Sequence, residues 1–463
     1  MRYKKTLHKF PKLILLILLI PFILVLTSCK KYLDKKPSQN LAVPSSLADL
    51  QAILDNEHTN YSSPADLEFV ADNYYLTSSS WNSSSFSYRN SYIWDAQATI
   101  TTSNVWDLPY QAIYQANFVM DQLPGISISE SDRNSYNNIK GTALFYRSFM
   151  FYQLAQLFCK PYSSSANSDL GIVLRLTSTI TAPSRRSTVQ ETYNQVITDL
   201  KAAATLLPST SLFVTRPNKA AAYGMLARVY LSMRDYTNAS TYANLSLVEN
   251  SSLLDYNSLA PSFLLPYFKN NPEISFLSYE GADLFVGTSQ ELIDSFLYQS
   301  YNTDDLRKTV YFAPGSGAGT YYWRGSYYNY GSTSAIFDGI ATDEIYLIRA
   351  ECYARNANKD SALADLNAVI QKRWKNTVVP YPSITALDAN DALNKILSER
   401  RKELLYRGLR WSDLRRFNLD GGNITLKRIV NGTTYILPPN DLRWVLLIPI
   451  DEITRSGIQQ NPR

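Results

Sequence analysis

Tyr223-Gly224-Met225-Leu226-Ala227-Arg228-Val229-Tyr230 and Tyr346-Leu347-Ile348-Arg349-Ala350-Glu351-Cys352-Tyr353 decide the architecture of this chain. Each puts a tyrosine, a long side chain, an alanine and a second tyrosine at offsets 0, 3, 4 and 7, which is one face of a helix. Twelve residues after each alanine a second face begins. It is Ala239, Ala243 and Ser246 in the first copy, and Ala362, Leu366 and Val369 in the second. Small residues at these places let two antiparallel helices approach closely, while the aromatics fill the groove to the neighbouring hairpin. This is the tetratricopeptide pattern, a repeat of about 34 residues. Generic amphipathic helices are the plainer alternative, since each offset alone is common.

Working outward, Leu144, Arg147, Ser148 and Phe151 repeat the first-helix offsets, with their second helix expected at Val189–Leu207, past a loop from Pro161 to Arg186. Trp106, Tyr110, Ile113, Tyr114 and Asn117 predict a helix from Val105 that Leu123-Pro124-Gly125 stops, and Tyr136 to Phe158 supplies the next. Leu47 to Leu54 reads as a short first helix. The expected fold is mostly all-α: helical hairpins at about 105–159, 189–248 and 343–416 within one domain, 46–463, with insertions at about 60–104 and 249–342.

The insertions are rich in aromatics. Ser78 to Asn90 reads as a loop carrying Trp81, Phe86 and Tyr88, and Tyr321 to Tyr330 has aromatics at six of ten positions. A regular solenoid has no use for these, and insertions between repeats map to loops on one face, often the binding face. Gly315 to Gly319 lacks the lysine and the following helix of a phosphate loop, and reads as a turn.

At the N-terminus Arg2, Lys4, Lys5, Lys9 and Lys12 precede an apolar run from Leu13 to Leu26, then Thr27-Ser28-Cys29. The run is too short for a spanning helix, which needs about 20 residues, but suits a cleaved export signal. Leu26-Thr27-Ser28-Cys29 resembles a bacterial lipobox, so residues 1–28 are expected to leave and Cys29 to be acylated, with 29–45 as the lipidated tether. Several acyl chains together would anchor the protein stably to a membrane.

Removing 1–28 takes away five basic residues and no acidic ones, leaving 40 of each sign, so net charge gives no nucleic-acid footprint. It also leaves His58 as the one histidine, which starves Ser-His-Asp, Cys-His and His-rich zinc chemistry. Cys159 and Cys352 sit far apart inside helical patterns and read as small buried hydrophobes. Asp304-Asp305, Asp343-Glu344 and Asp451-Glu452 are adjacent acids, whereas glycosidases need two carboxyls set across a substrate bond. No catalytic residue, metal site or cofactor is assigned.

Toward the C-terminus, Glu399-Arg400-Arg401-Lys402-Glu403-Leu404 through Arg407-Gly408-Leu409-Arg410-Trp411-Ser412-Asp413-Leu414-Arg415-Arg416 resembles the helix-and-turn signature of the SusD/RagB family. Leu437-Pro438-Pro439, Ile448-Pro449 with Glu452-Ile453, and Gln460-Asn461-Pro462 resemble that family's closing segment, and Tyr32-Leu33-Asp34 its start. One departure is Tyr406-Arg407, where members commonly place Phe-Glu. The resemblance implies a SusD-like fold with four tetratricopeptide-like units, lipid-anchored on the outer membrane and facing outward. It implies a non-enzymatic lipoprotein that binds a glycan or peptide nutrient beside a SusC-like TonB-dependent transporter, and it makes Asp305 a structural partner of Arg307. Glu399, Arg400, Arg401, Glu403 and Arg407 stand at i,i+3 and i,i+4 spacings and read as a structural charge network.

Aromatic faces attract the slightly positive C–H bonds of a sugar ring, and neighbouring Asn, Arg and Ser satisfy its hydroxyls. The candidate ligand-binding residues are therefore Trp81, Tyr88, Arg89 and Trp94 in the first insertion, and Tyr298, Tyr321, Tyr322 and Trp323 in the second. Packing is the competing reading for each ring, and for Tyr298 in particular, whose neighbours Leu292 and Phe296 also suit a core. A tetratricopeptide scaffold gripping another protein is the alternative function.

Overall fold

The computed structural model describes residues 44–56, 64, 66–98, 104–259, 271–280, 290–325, 327, 336–377 and 380–463. Cys29, the lipobox, the tether up to residue 43, His58, Tyr328 and Tyr330 lie outside them. Ser46 to Arg463 cluster as one compact unit. Among the described residues no helix is long and apolar enough to cross a membrane.

Helix α1 (Leu47–Leu54) starts on a capping box in which Ser46 and Asp49 satisfy each other's backbone amides. After α2 (Asp66–Phe69) and strand β1 (Tyr74–Leu76) come two short helices, α3 (Ser78–Ser83) and α4 (Phe86–Tyr92). The expected loop at 78–90 is thus helical. Thr77 and Ser85 cap the two helices through their hydroxyls, so the serine-rich composition marks helix starts rather than irregular chain.

The repeat body begins with α5 (Asn104–Gln122) and α6 (Arg133–Phe158), followed by strands β2 (Leu170–Val173) and β3 (Arg186–Thr188). Next come α7 (Val189–Leu206), capped by a Thr188–Glu191 box, then α8 (Lys219–Ser232) and α9 (Tyr236–Glu249). Each packs on the next, and α6 pairs with α7 as closely as α8 with α9. The repeat offsets explain the fit. Ala227, Ala239 and Ala243 are fully buried between α8 and α9, while Tyr230 stacks on Tyr242 at 5.4 Å. Gly224 is needed for close approach: a Cβ there would stand 2.7 Å from Ile340 Cγ2.

The second insertion holds β4 (Ile274–Phe276), β5 (Tyr279–Glu280), β6 (Glu291–Ile293), α10 (Ser295–Gln299), α11 (Arg307–Val310), β7 (Phe312–Pro314), β8 (Tyr321–Trp323), β9 (Ile336–Phe337) and β10 (Ile340–Ala341). These strands pair antiparallel in twos: β1 with β6, β4 with β10, β5 with β9, β7 with β8. The Gly315–Gly319 turn joins β7 to β8, with Gly319 at φ 71°. The repeats resume with α12 (Thr342–Arg355), which packs on α9, then α13 (Lys359–Gln371), α14 (Ala389–Glu403) and α15 (Arg410–Leu419). A hairpin of β11 (Leu426–Val430) and β12 (Thr433–Leu437) and a last helix α16 (Ile450–Ser456) close the chain.

The charged C-terminal run forms a buried network, but mostly with distant partners rather than along its own helix. Arg307 is completely buried and meets Asp305 (2.6 Å), Glu399 (2.6 Å) and Glu403 (3.0 Å). Arg373 bridges Glu403 and Glu273, Arg400 takes Asp413, and Arg416 joins Asp413 to Glu351. Arg407, at the position that departs from the family pattern, pairs with buried Asp343 at 3.3 Å. Cys159 and Cys352 are buried free thiols, pushed up by desolvation to about 11 and about 12.

Candidate functional site

The two aromatic segments lie more than 200 residues apart and meet through β-pairing. Tyr74, Tyr75 and Leu76 of β1 oppose Ile293, Leu292 and Glu291 of β6, and β8 lies beside β6. Tyr88 on α4 donates its hydroxyl to Glu291 at 2.8 Å, tying the first insertion to the second. Tyr74 and Leu76 face inward, which turns Tyr75 outward at 37% exposure. Tyr75 was not among the predicted residues. It stands in an unbroken Tyr74-Tyr75-Leu76 run, where nothing in the sequence marks the outward residue.

Three of the predicted rings are core residues, not ligand faces. Trp323 is 4% exposed because it stacks on Tyr406 at 5.1 Å and contacts Tyr311 at 4.9 Å. Trp94 is buried with its indole N–H donated to the Val70 carbonyl and the Arg428 guanidinium 4.4 Å from its ring. Tyr88 is buried against Phe69, 4.2 Å between ring centres. In each case a partner distant in sequence claims the ring's apolar face.

The other five are half-buried. Trp81 donates its indole N–H to the Arg89 carbonyl at 3.1 Å, and the Arg89 guanidinium lies 5.4 Å from its ring. The tip of the β11–β12 hairpin braces this helix. Asn431 and Asn82 exchange amide hydrogen bonds, and the Asn431 backbone N–H donates to Ser78 Oγ at 2.8 Å. Asn431 and Gly432 both have positive φ, 51° and 76°, as a two-residue type I′ hairpin turn demands. Tyr298 and Tyr321 stack at 3.6 Å with planes 14° apart, and Lys308 sits 4.9 Å over Tyr298. Strand alternation turns Tyr322 away from Tyr321 and Trp323. The arrangement offers rigid rings flanked by guanidinium and amide donors: surfaces for a flat polar ligand.

Beneath β1 and β6 lies a buried acid pair. Glu291 accepts the Tyr88 and Tyr406 hydroxyls, and Glu68 accepts from Asn73 at 2.6 Å. Burial is the main force pushing the Glu68 carboxyl up to about 8, with Asp72 and Glu291 adding to it. Among the described residues no cluster of His, Cys, Asp and Glu has the arrangement to hold a metal.

None of the eight predicted residues lines any of three sizeable hollows in the structure. One, of about 620 Å³, runs from Phe296 to Phe417 beneath Arg355 and Arg401. A second, of about 390 Å³, lies on α5 and holds Trp106, Tyr114 and Arg175. The third, of about 400 Å³, lies between the loop after α6 and the C-terminal segment. Sequence spacing carried no signal for them, because each is walled by segments remote in the chain.

Comparison with known proteins gives a consistent result. Residues 31–231 match the family described as "Starch-binding associating with outer membrane", and residues 340–457 match the SusD family. A SusD-like protein P2 of Formosa agariphila is 31% identical over 138 residues, 30% of this chain and 25% of that relative. The match therefore spans about a quarter of that relative's length. Among solved structures, a SusD superfamily protein from Bacteroides thetaiotaomicron superposes with TM-score 0.73 at 23% identity, covering 90% of this chain and 100% of that one. A laminarin-binding SusD-like protein gives TM-score 0.65 at 17% identity, covering 90% and 100%. At these identities the structural likeness establishes the fold.

Proposed function

The chain belongs to the SusD family, and from that premise we propose that it is a lipid-anchored, outward-facing outer-membrane protein that binds an oligosaccharide and passes it to a SusC-like TonB-dependent transporter. Its role in this reading is capture, not catalysis. The family matched over residues 31–231 is described as starch-binding and outer-membrane-associated, which supports a glycan ligand and the location. The Leu26-Thr27-Ser28-Cys29 sequence supports acylation at Cys29.

The observation that carries the proposal is the meeting of the two aromatic insertions through β1, β6 and β8, with Tyr75, Trp81, Tyr321 and Tyr322 left open at least in part. Rings fixed by stacking and by Trp81's own hydrogen bond lose little entropy when a sugar lands on them. Titration calorimetry with laminarin and starch oligosaccharides tests this. Trp81→Ala and Tyr322→Ala should each weaken binding about tenfold, equivalent to about 1.4 kcal/mol. Native affinity in both variants would remove this surface from the reading, and binding of peptides in preference to every glycan would replace the ligand class.

A further inference from the structure

The hollow on α5, of about 390 Å³, shares no lining residue with the aromatic surface, and the function proposed above makes no use of it. Asp107, Gln111 and Tyr114 stand at offsets 0, 4 and 7, so one face of α5 lines it. Trp106 and Tyr110, with ring centres 5.0 Å apart, give it an aromatic floor. Tyr114 is 45% exposed, and Phe118 lies nearly parallel to it at 6.3 Å.

The facing wall is the chain from Val173 to Ser184, and hydrogen bonds fix it to the helix. The Tyr110 hydroxyl accepts from the Val173 N–H at 3.1 Å and donates to the Val173 carbonyl at 2.8 Å. Asn117 donates to the carbonyls of Arg175 and Thr177, and Asp121 accepts from the Ser178 N–H and hydroxyl. Arg147, paired with Asp199, holds the Asn117 amide in place at 2.9 Å. The hollow is therefore formed before any ligand arrives, which lowers the entropy lost on binding.

Asp107 and Arg175 meet Glu452 and Arg455 of α16 around this space. The Glu452 carboxyl senses the other three: burial raises its pKa, Asp107 adds to the rise, and Arg455 and Arg175 oppose it. Among the described residues, however, no ion pair joins any two of the four. Arg175 donates to the Ala182 carbonyl and to Ser184 Oγ, and Arg455 reaches Asp451 at 3.7 Å. Two acids and two guanidinium groups thus face one hollow as separate acceptors and donors with balanced charge. A neutral molecule carrying many hydroxyls answers such a set, since each hydroxyl can donate to a carboxylate or accept from a guanidinium. A net charge on the ligand would be drawn to one pair and repelled by the other.

We propose that this hollow is a second sugar site, which takes a neutral, disaccharide-sized stretch of glycan. One ring lies against Tyr114 and the next between Asp107 and Glu452; the helix rises about 10 Å from Asp107 to Tyr114, room for two rings in line. The site rests on the reading above for its ligand class and on none of the residues used there.

Saturation-transfer NMR with maltose, laminaribiose and lactose tests the proposal on the full chain carrying Trp81→Ala and Tyr322→Ala together, so that the aromatic surface is disabled. At least one disaccharide should still bind with Kd below about 10 mM. Adding Tyr114→Ala, an exposed change, should weaken it about tenfold, whereas Tyr114→Phe should keep it. Glu452→Gln should weaken it severalfold by replacing a charged acceptor with a neutral one. Glucuronate and glucosamine should bind no tighter than the best neutral disaccharide. The background variant separates the two sites: failure of the aromatic surface leaves these measurements standing. No disaccharide binding below that concentration, unchanged affinity after Tyr114→Ala, or tenfold tighter binding of either charged sugar would overturn it.

Discussion

Glu68→Gln would show how strongly the acid beneath the aromatic surface resists ionisation. Glu68 is wholly buried, and one oxygen accepts from Asn73. Desolvation raises its pKa from the ordinary 4.5 to about 8. The folded chain thus keeps a proton that the unfolded chain has released throughout the window between those values. Stability from this group is complete below 4.5 and is lost as pH rises toward 8. The slope approaches about 1.4 kcal/mol per pH unit, and the loss over the whole window is about 3–5 kcal/mol. Glutamine keeps the shape and the acceptor for Asn73 but cannot ionise. Urea unfolding from about pH 5 to about pH 8 should therefore show the variant gaining on the native protein at each step, by a few kcal/mol in all. Glu273, raised by burial to about 7, adds a slope of the same sign to both proteins, so the difference between the profiles isolates Glu68. Parallel profiles, differing in shape by less than about 0.5 kcal/mol, would refute the reasoning.

Two further substitutions probe the body. Glu403→Gln removes the charge shared by Arg307 at 3.0 Å and Arg373 at 2.7 Å, and should cost about 3–5 kcal/mol in urea unfolding. A loss under about 1 kcal/mol would mean the network does not hold the insertion to α14. Ala243→Leu forces extra volume into the fully buried contact of α8 with α9 and should destabilise by about 1–3 kcal/mol, whereas Thr241→Leu on the exposed face should change little. Equal effects at the two positions would argue against the close helix approach.

The helical body was legible because its determinants are local. Leu47–Leu54 stands where the apolar spacing placed it, and the expected helices at Tyr136–Phe158 and Val189–Leu207 differ from the observed Arg133–Phe158 and Val189–Leu206 only at their ends. The serine-rich stretch at 78–90 misled because serine serves both loops and caps, and the sequence does not say which until a helix follows. The charge run was legible as structural, but not its partners: Arg400 reaches Asp413 and Arg407 reaches Asp343 across turns that spacing along one helix cannot describe.

Periodicity and family signature alone set the stack of paired helices, the place of its insertions and their aromatic content. Only the tertiary structure decided which rings stay open, because a ring's exposure depends on what packs over it. Trp323 is covered by Tyr406, and Trp94 by Arg428, each from a distant part of the chain, while Tyr75 stays 37% exposed and Trp81 half-buried.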